Sequence, residues 1–233
     1  MSKIADIPSC VDCKNKNSIF CSITLDEKEA LGNNKLNNFY KKGDVIFREG
    51  TASHGLYCIY DGKVKLTKLG HDGKDQVVRF SNTGDILGYR SLLNNEAYQA
   101  TAIALEDSYI CQLSKGNFIN SIKENSTLSL EVIQLLSSNL KNAEKHLVNI
   151  AQKTAKERIV ASILLLQDVF GFKEDGESLD IILTRSEIAD IAGTTSETTI
   201  RTLKKLSDIN LIVLKGKSIS IPDLQALSAV TGF

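Results

Sequence analysis

What the chain lacks narrows the work it can do. Histidine is scarce: only His54, His71 and His146 occur in 233 residues, too few for a site where several His and carboxylate groups converge on a catalytic metal. There is no nucleophile elbow, phosphate-binding glycine loop or His-Glu-x-x-His motif, so no enzymatic activity is expected. No run approaches the roughly 20 apolar residues of a membrane span. The first twenty residues carry charges at Lys3, Asp6, Asp12, Lys14 and Lys16 with no apolar block between them, unlike a secretion signal. These gaps point to a cytoplasmic protein with no membrane partner, whose cysteines stay reduced and serve as ligands or core residues. Excess charge is missing too, since 28 Lys and Arg balance 28 Asp and Glu. The chain as a whole therefore offers nucleic acid no general attraction, and any case for DNA rests on local placement.

What is present suits two small domains of roughly 100 to 150 residues each. From about Asn38 to Phe118 short β-type runs alternate with Gly, Asp and Asn turns, the pattern of an all-β sandwich or barrel. The runs are Val45 to Arg48, Leu56 to Tyr60, Val64 to Leu69, Gln76 to Phe80, Ala100 to Leu105 and Tyr109 to Leu113. Between them lie Lys42-Gly43-Asp44, Asp61-Gly62, His71-Asp72-Gly73 and Thr83-Gly84-Asp85. Asp-Gly is a dipeptide that tight hairpins favour. His71 is thereby expected in an exposed turn.

The period then changes. Leu128 to Phe170 contains no Gly or Pro, and its apolar residues recur at helical spacing. Ile133, Leu136, Leu140, Ala143, Leu147, Ile150 and Thr154 step alternately by three and four, an uncharged heptad seam. A two-stranded coiled coil buries such a stripe against its own copy, which predicts a homodimer. The alternative packs the stripe on the barrel of the same chain. A hinge near Thr154 to Lys156 precedes a second helical run, Glu157 to Phe170. Gly171 to Ser178 reads as a loop and Leu179 to Leu183 as a short strand. Two short helices follow, and then a hairpin whose arms, Leu211 to Leu214 and Ser218 to Ile221, flank Lys215-Gly216.

Thr184-Arg185-Ser186-Glu187 has the form of a capping box and starts the first short helix, with Ile188, Ala189, Ile191 and Ala192 as its apolar face. Gly193-Thr194-Thr195 breaks it, and Thr195 can cap the next helix, Ser196 to Ser207. Ile200, Leu203 and Leu206 are expected to face inward, leaving Ser196, Glu197, Thr199, Arg201, Lys204 and Lys205 for the remaining surface. Helix, Gly-containing turn, helix and hairpin make a winged helix-turn-helix. The start of its second helix reaches base edges in the major groove. The base-reading candidates are Ser196, Glu197, Ile200 and Arg201: Arg pairs bidentately with guanine, and Glu accepts from the cytosine amino group. Thr194, Thr195 and Lys217 are candidates for phosphate contacts. A dimer presents two such helices, so the DNA partner is expected to be a palindromic duplex site. The competing reading is a winged helix used for protein contact, with Glu197 and Arg201 as an ordinary surface ion pair.

These residues resemble the Crp/Fnr family of transcription regulators. The segment from Glu187 through Thr194-Thr195-Ser196-Glu197 to Arg201-Thr202-Leu203 matches the family's helix-turn-helix signature. The barrel matches through Lys42-Gly43-Asp44, Gly50, Asp61-Gly62-Lys63-Val64, Gly84-Asp85 and Gly88, so the resemblance runs from about Phe39 to Leu227. It implies an α+β chain: an N-terminal cyclic-nucleotide-binding-type β jelly roll, a long dimerisation helix and a C-terminal winged helix-turn-helix. The expected segments are a cysteine-containing stretch at 1–25, the jelly-roll sensor at 26–127, the dimer helix at 128–154 and the DNA-binding domain at 155–233. It further implies that Glu197 and Arg201 read a TGA-containing half-site, and that RNA polymerase is a partner.

The resemblance also frames the effector. Relatives that bind cyclic nucleotides carry Gly-Glu-Leu and then Arg-Ser for ribose and phosphate. Here Gly88-Tyr89-Arg90 and Tyr98-Gln99 stand in those places, without the Glu or the Arg that clamps the phosphate. Cyclic AMP is therefore not expected, and Arg90 is either an anion contact or a surface residue. Cys10 and Cys13 form a Cys-x2-Cys pair, Cys21 follows, and Cys111 falls at the barrel position where oxygen-sensing Fnr relatives supply a fourth ligand. Four thiolates hold an iron-sulfur cluster, here expected as [4Fe-4S], or a tetrahedral zinc ion. The spacing from Cys13 to Cys21 is longer than in those relatives, no Pro follows Cys21, and Phe20 directly before it offers that sulfur a place in the barrel instead. Unliganded thiols are the alternative. Cys58, between Tyr57 and Ile59, reads as a small core residue. Other readings within the fold are a regulator sensing a small molecule or haem in the barrel, and one needing no effector. A cupin-like metalloenzyme ranks last, for want of histidines.

Overall fold

The computed structural model describes residues 7–13, 15, 18–70, 73 and 75–231. His71 and Asp72, expected in a turn, lie outside the described residues. The chain divides into two compact units, residues 1–138 and 139–233.

In the first unit two antiparallel four-stranded sheets face each other. One has the order β1 (Leu36–Tyr40), β8 (Ser108–Ser114), β3 (Gly55–Asp61), β6 (Ile86–Leu87); the other has β2 (Val45–Phe47), β7 (Thr101–Ala104), β4 (Val64–Leu69), β5 (Asp75–Ser81). Non-consecutive neighbours in both sheets give the crossed topology of a jelly roll. Alternation along β3 assigns its faces. Tyr57 and Ile59 join Phe47, Val64, Leu87, Tyr98 and Ile110 in the core between the sheets, while Leu56 and Cys58 face the opposite way. There they meet a second core built with helices α1 (Leu25–Gly32), α2 (Tyr89–Asn94), α3 (Lys115–Glu124) and the start of α4 (Ser126–Gln152). Leu128 and Val132 of α4 are buried in it. Gly62, in the β3–β4 turn, has φ 129° and would set any Cβ against Ser108.

The six strands expected from alternation are present, each within a residue or two of its expected ends. Strands β1 and β6 and helices α2 and α3 carried no such signal. The α4 helix starts where Asn125 accepts from the Leu128 N–H at 2.8 Å, and it stops at Gln152. Thr154, expected as the last residue of the seam, is instead the N-cap of α5 (Ala155–Phe170). Its Oγ1 accepts from the Glu157 N–H and its own N–H donates to Glu157 Oε2 at 2.7 Å. This capping box separates the two helices where the sequence suggested a hinge.

In the second unit α5 packs against α6 (Arg185–Ala192), α7 (Ser196–Asp208) and α8 (Leu224–Ala229). Ile159, Ile163, Ile188, Leu203, Leu206 and Leu227 fill the centre. A hairpin of β9 (Val213–Lys215) and β10 (Ser218–Ser220) forms the wing. The expected strand at Leu179 to Leu183 is not one: single bridges join Phe172 to Leu179 and Ser178 to Ser220, and no ladder continues them. Leu179, Ile181 and Leu183 are apolar because this extended segment buries them. No helix among the described residues is long and apolar enough to cross a membrane.

Candidate functional site: reading helix and cysteine pocket

The expected capping box at Thr184 is formed, with the Glu187 N–H donating to Thr184 Oγ1 at 3.2 Å and the Thr184 N–H donating to Glu187 Oε2 at 2.9 Å. Gly193 ends α6 in the left-handed conformation, φ 58°, which glycine adopts without a Cβ penalty. Thr195 then caps α7, accepting from the Thr198 N–H at 3.2 Å and donating to Thr198 Oγ1 at 2.9 Å. Arg158 of α5 fixes this turn from below. Its Nε donates to Ala192 O at 2.8 Å, Nη2 to Gly193 O at 3.1 Å and Nη1 to Lys153 O at 2.9 Å. From α6, Arg185 Nη2 donates to Gly216 O at 2.9 Å in the wing turn.

Helix α7 buries Thr199, Leu203 and Leu206. Two expectations change here. Ile200 does not pack inward but is 53% exposed, which agrees with its place among the base-reading candidates. Thr199, expected on the surface, takes the buried position one residue earlier. Glu197 and Arg201 are exposed one turn apart, 3.9 Å between Oε1 and Nη2. A pair so open to solvent holds weakly, so either group is free to exchange its partner for a base edge. Ser196 is half-buried at the start of the helix, Thr194 is half-buried in the turn, and Lys217 is exposed on the wing.

Along α4, Ile133, Leu136, Leu140, Leu147 and Ile150 are exposed, Leu140 to 61% and Leu147 to 68%. Ala143 is exposed beside them. The residues that α4 buries in the first unit are others, Leu128 and Val132. Among the described residues the seam side chains are thus left exposed.

The candidate effector residues do not converge. Tyr98 is buried, stacked on Phe47 with ring centroids 4.2 Å apart, and its hydroxyl donates to Gly55 O at 2.8 Å. Tyr89 is buried and accepts from Arg79 Nη1 at 2.9 Å. Gly88 has φ 83°, and a Cβ there would lie 2.9 Å from the Tyr98 ring. Arg90 and Gln99 are exposed. Aromatic packing of Phe47, Tyr57 and Tyr98 fills the space between the sheets.

The cysteines do converge. One pocket of about 60 Å3 is lined by Cys10, Cys13, Cys21, Cys58 and Cys111, with Lys28 and Lys35. It lies on the outer face of the β1–β8–β3–β6 sheet, where Cys58 packs against the second core, as expected of a small core residue, and also borders the pocket. Cys111 lies at the centre of β8, directly opposite Cys58 on β3. It was the alternation of β3, combined with its pairing to β8, that the sequence reading of Cys58 lacked. Phe20 packs edge-on against Phe118, centroids 6.4 Å apart. That turns the adjacent Cys21 outward, where its Sγ donates to Asn15 O at 3.0 Å, so Cys21 does not enter the barrel. Burial pushes the Cys111 thiol up to about 11, against the pull of Lys35, whose Nζ is 4.0 Å from its Sγ. Cys10 is raised by burial in the same way. Cys58 is raised well above the ordinary thiol value, first by burial and then by Cys111, Cys10 and Cys13. Such buried thiols stay protonated unless a positive centre arrives. All five are free thiols. Among the described residues no three His, Cys, Asp or Glu side chains are grouped so as to hold a single metal ion.

A jelly roll followed by a long helix and a winged helix-turn-helix defines a two-domain DNA-binding transcription regulator. The comparisons agree by domain: residues 37–125 match the cyclic nucleotide-binding domain and residues 157–230 the Crp-like helix-turn-helix domain. The chain is 30% identical over 228 residues to the nitrogen fixation regulation protein FixK of Bradyrhizobium diazoefficiens, covering 94% of each chain. It is 27% identical over 232 residues to the fumarate and nitrate reduction regulatory protein of Yersinia pestis, covering 96% of this chain and 90% of that one. The solved structure of FixK2 from Bradyrhizobium japonicum superposes with a TM-score of 0.74 at 23% identity, covering 84% of this chain and 96% of that chain. The chain belongs to the Crp/Fnr family of transcription regulators, on its Fnr-like side.

Proposed function

We propose that this protein acts as a cytoplasmic homodimer on a palindromic DNA site, and that its cysteine pocket holds an iron-sulfur cluster that makes it responsive to oxidants. The observation that carries DNA reading is the exposed face of α7, where Glu197, Ile200 and Arg201 stand on the first turns of the second helix of the motif. Arg201 is assigned to guanine and Glu197 to cytosine within a TGA-type half-site. Thr194, Lys217 and the amide end of α7 are assigned to phosphates. Dimerisation is assigned to the uncovered seam on α4, since an apolar stripe this long calls for a cover. RNA polymerase contact is expected from the family, and no enzymatic step is assigned.

The redox reading is supported by the donor set. Five thiols border one pocket, and thiolates are the soft anionic ligands that iron-sulfur clusters take. A cluster spaces its ligands more widely than a single ion, which suits cysteines that are gathered but not closed on one point. Cys10, Cys13 and Cys111 are among its ligands in this reading. When bound, the cluster would supply a centre that oxidants alter. Relatives named as anaerobic regulatory and fumarate and nitrate reduction regulatory proteins fit such a role. Cyclic AMP is excluded from the proposal, because the residues in its family position are buried tyrosines or point to solvent.

Replacing Arg201 with Ala tests the reading helix. The variant is expected to lose about 1 to 3 kcal/mol on a TGA-containing palindrome and to discriminate less at the guanine. Equal losses on specific and random duplexes, measured at one salt concentration, would reassign Arg201 to the phosphates.

A further inference from the structure

The family resemblance places three ligands in the N-terminal segment and one in the barrel. The geometry of this chain divides its five thiols differently. Cys58 and Cys111 are register partners on neighbouring antiparallel strands, so their side chains leave the sheet on the same face. That face is the one on which Cys10 packs, and the pocket above it also takes Cys13. Cys21 borders the same pocket and is exposed like Cys13, but its sulfur is already engaged. Its short helical turn is pinned by Phe20 against Phe118, and its Sγ is held by Asn15 O.

We propose that the fourth thiolate of the metal centre is Cys58, so that the cluster is held by a Cys-x2-Cys pair from the N-terminal segment and a Cys58–Cys111 pair from the sheet. Two ligands fixed by one ladder form a rigid half-site, and Cys10 and Cys13 close on it from the segment above. Each thiol gives its proton to solvent as its sulfur binds iron. Gly32 belongs to the same arrangement. A Cβ there would lie 3.0 Å from Cys10 Sγ, so the absent side chain leaves Cys10 its place beside the sheet. The long interval between Cys13 and Cys21, which departs from the oxygen sensors, follows naturally when Cys21 is not a ligand.

This inference rests on the cluster reading, and the test separates the two. Full-length wild type and the variants Cys58→Ser, Cys58→Ala and Cys21→Ser are purified without oxygen, and iron, sulfide and visible absorbance are measured per chain. Circular dichroism and elution volume report folding, with alanine as the apolar alternative if serine disturbs the sheet. Folded Cys58 variants are expected to fall to background iron while Cys21→Ser keeps wild-type content. Full iron in a folded Cys58 variant, or background iron in Cys21→Ser, would overturn the assignment and leave the cluster reading intact. Iron-free wild type, after anaerobic reconstitution with ferrous iron and sulfide, would overturn both.

Discussion

Thr199 lies on the inward side of α7 with its Oγ1 buried and, among the described residues, without a hydrogen-bond partner. A buried hydroxyl left unpaired costs about 1 to 3 kcal/mol relative to one in water. Valine has the same shape with a methyl in its place, so Thr199→Val is expected to raise stability by about 1 kcal/mol in urea denaturation. Affinity for DNA should not move, since the residue faces away from the reading surface. A loss of stability instead would mean that the hydroxyl is satisfied in solution. The same position explains the misplacement of Ile200 by sequence reasoning. Apolar spacing alone puts isoleucine inside and threonine outside, yet α7 turns the two the other way. An isoleucine kept on the outer face beside Glu197 and Arg201 suits contact with a thymine methyl group.

At the scale of elements, Arg158 ties three segments together: the end of α4 through Lys153, and the end of α6 and its turn through Ala192 and Gly193. These carbonyls are groups that helix ends leave without intrahelical partners. Arg158→Met keeps the aliphatic stem and removes the donors. It is expected to cost about 1 to 3 kcal/mol and to speed amide exchange in the last turn of α6, as hydrogen-exchange mass spectrometry would record. Unchanged exchange there would show that the clamp is dispensable. No sequence pattern announces such a residue, because two of its three acceptors are main-chain atoms 34 and 35 positions away. What was legible had a local cause: alternation in β4, the capping box at Thr184, glycine at the end of α6. The strand β1 was not legible. Its residues Leu36-Asn37-Asn38 give no alternating apolar signal, and it is a strand because β8 pairs with it from 70 residues away. That Cys58 packs on the outer face of its sheet beside the pocket was not legible for the same reason, since a face is defined by the partner strand as much as by the strand itself.

For the whole molecule, the proposed dimer rests on the exposed seam of α4. Placing a charge in its middle, Leu140→Glu, buries two carboxylates face to face in any symmetric dimer. The variant is expected to elute and scatter light as a monomer, and to lose specific DNA binding while its second unit remains folded. An unchanged dimer would remove the seam from the interface. The prediction distinguishes the dimer from the reading helix, because α7 is untouched by it.

That exposed stripe also sets how the protein responds to its own abundance. In the proposed dimer on a palindrome, the amount of competent protein below the dimer dissociation constant follows the square of the chain concentration. Halving expression then cuts operator occupancy about fourfold in that range. On the proposed dimer, an uncovered row of leucines would thus give a steep dependence on gene dosage, before any effector is sensed.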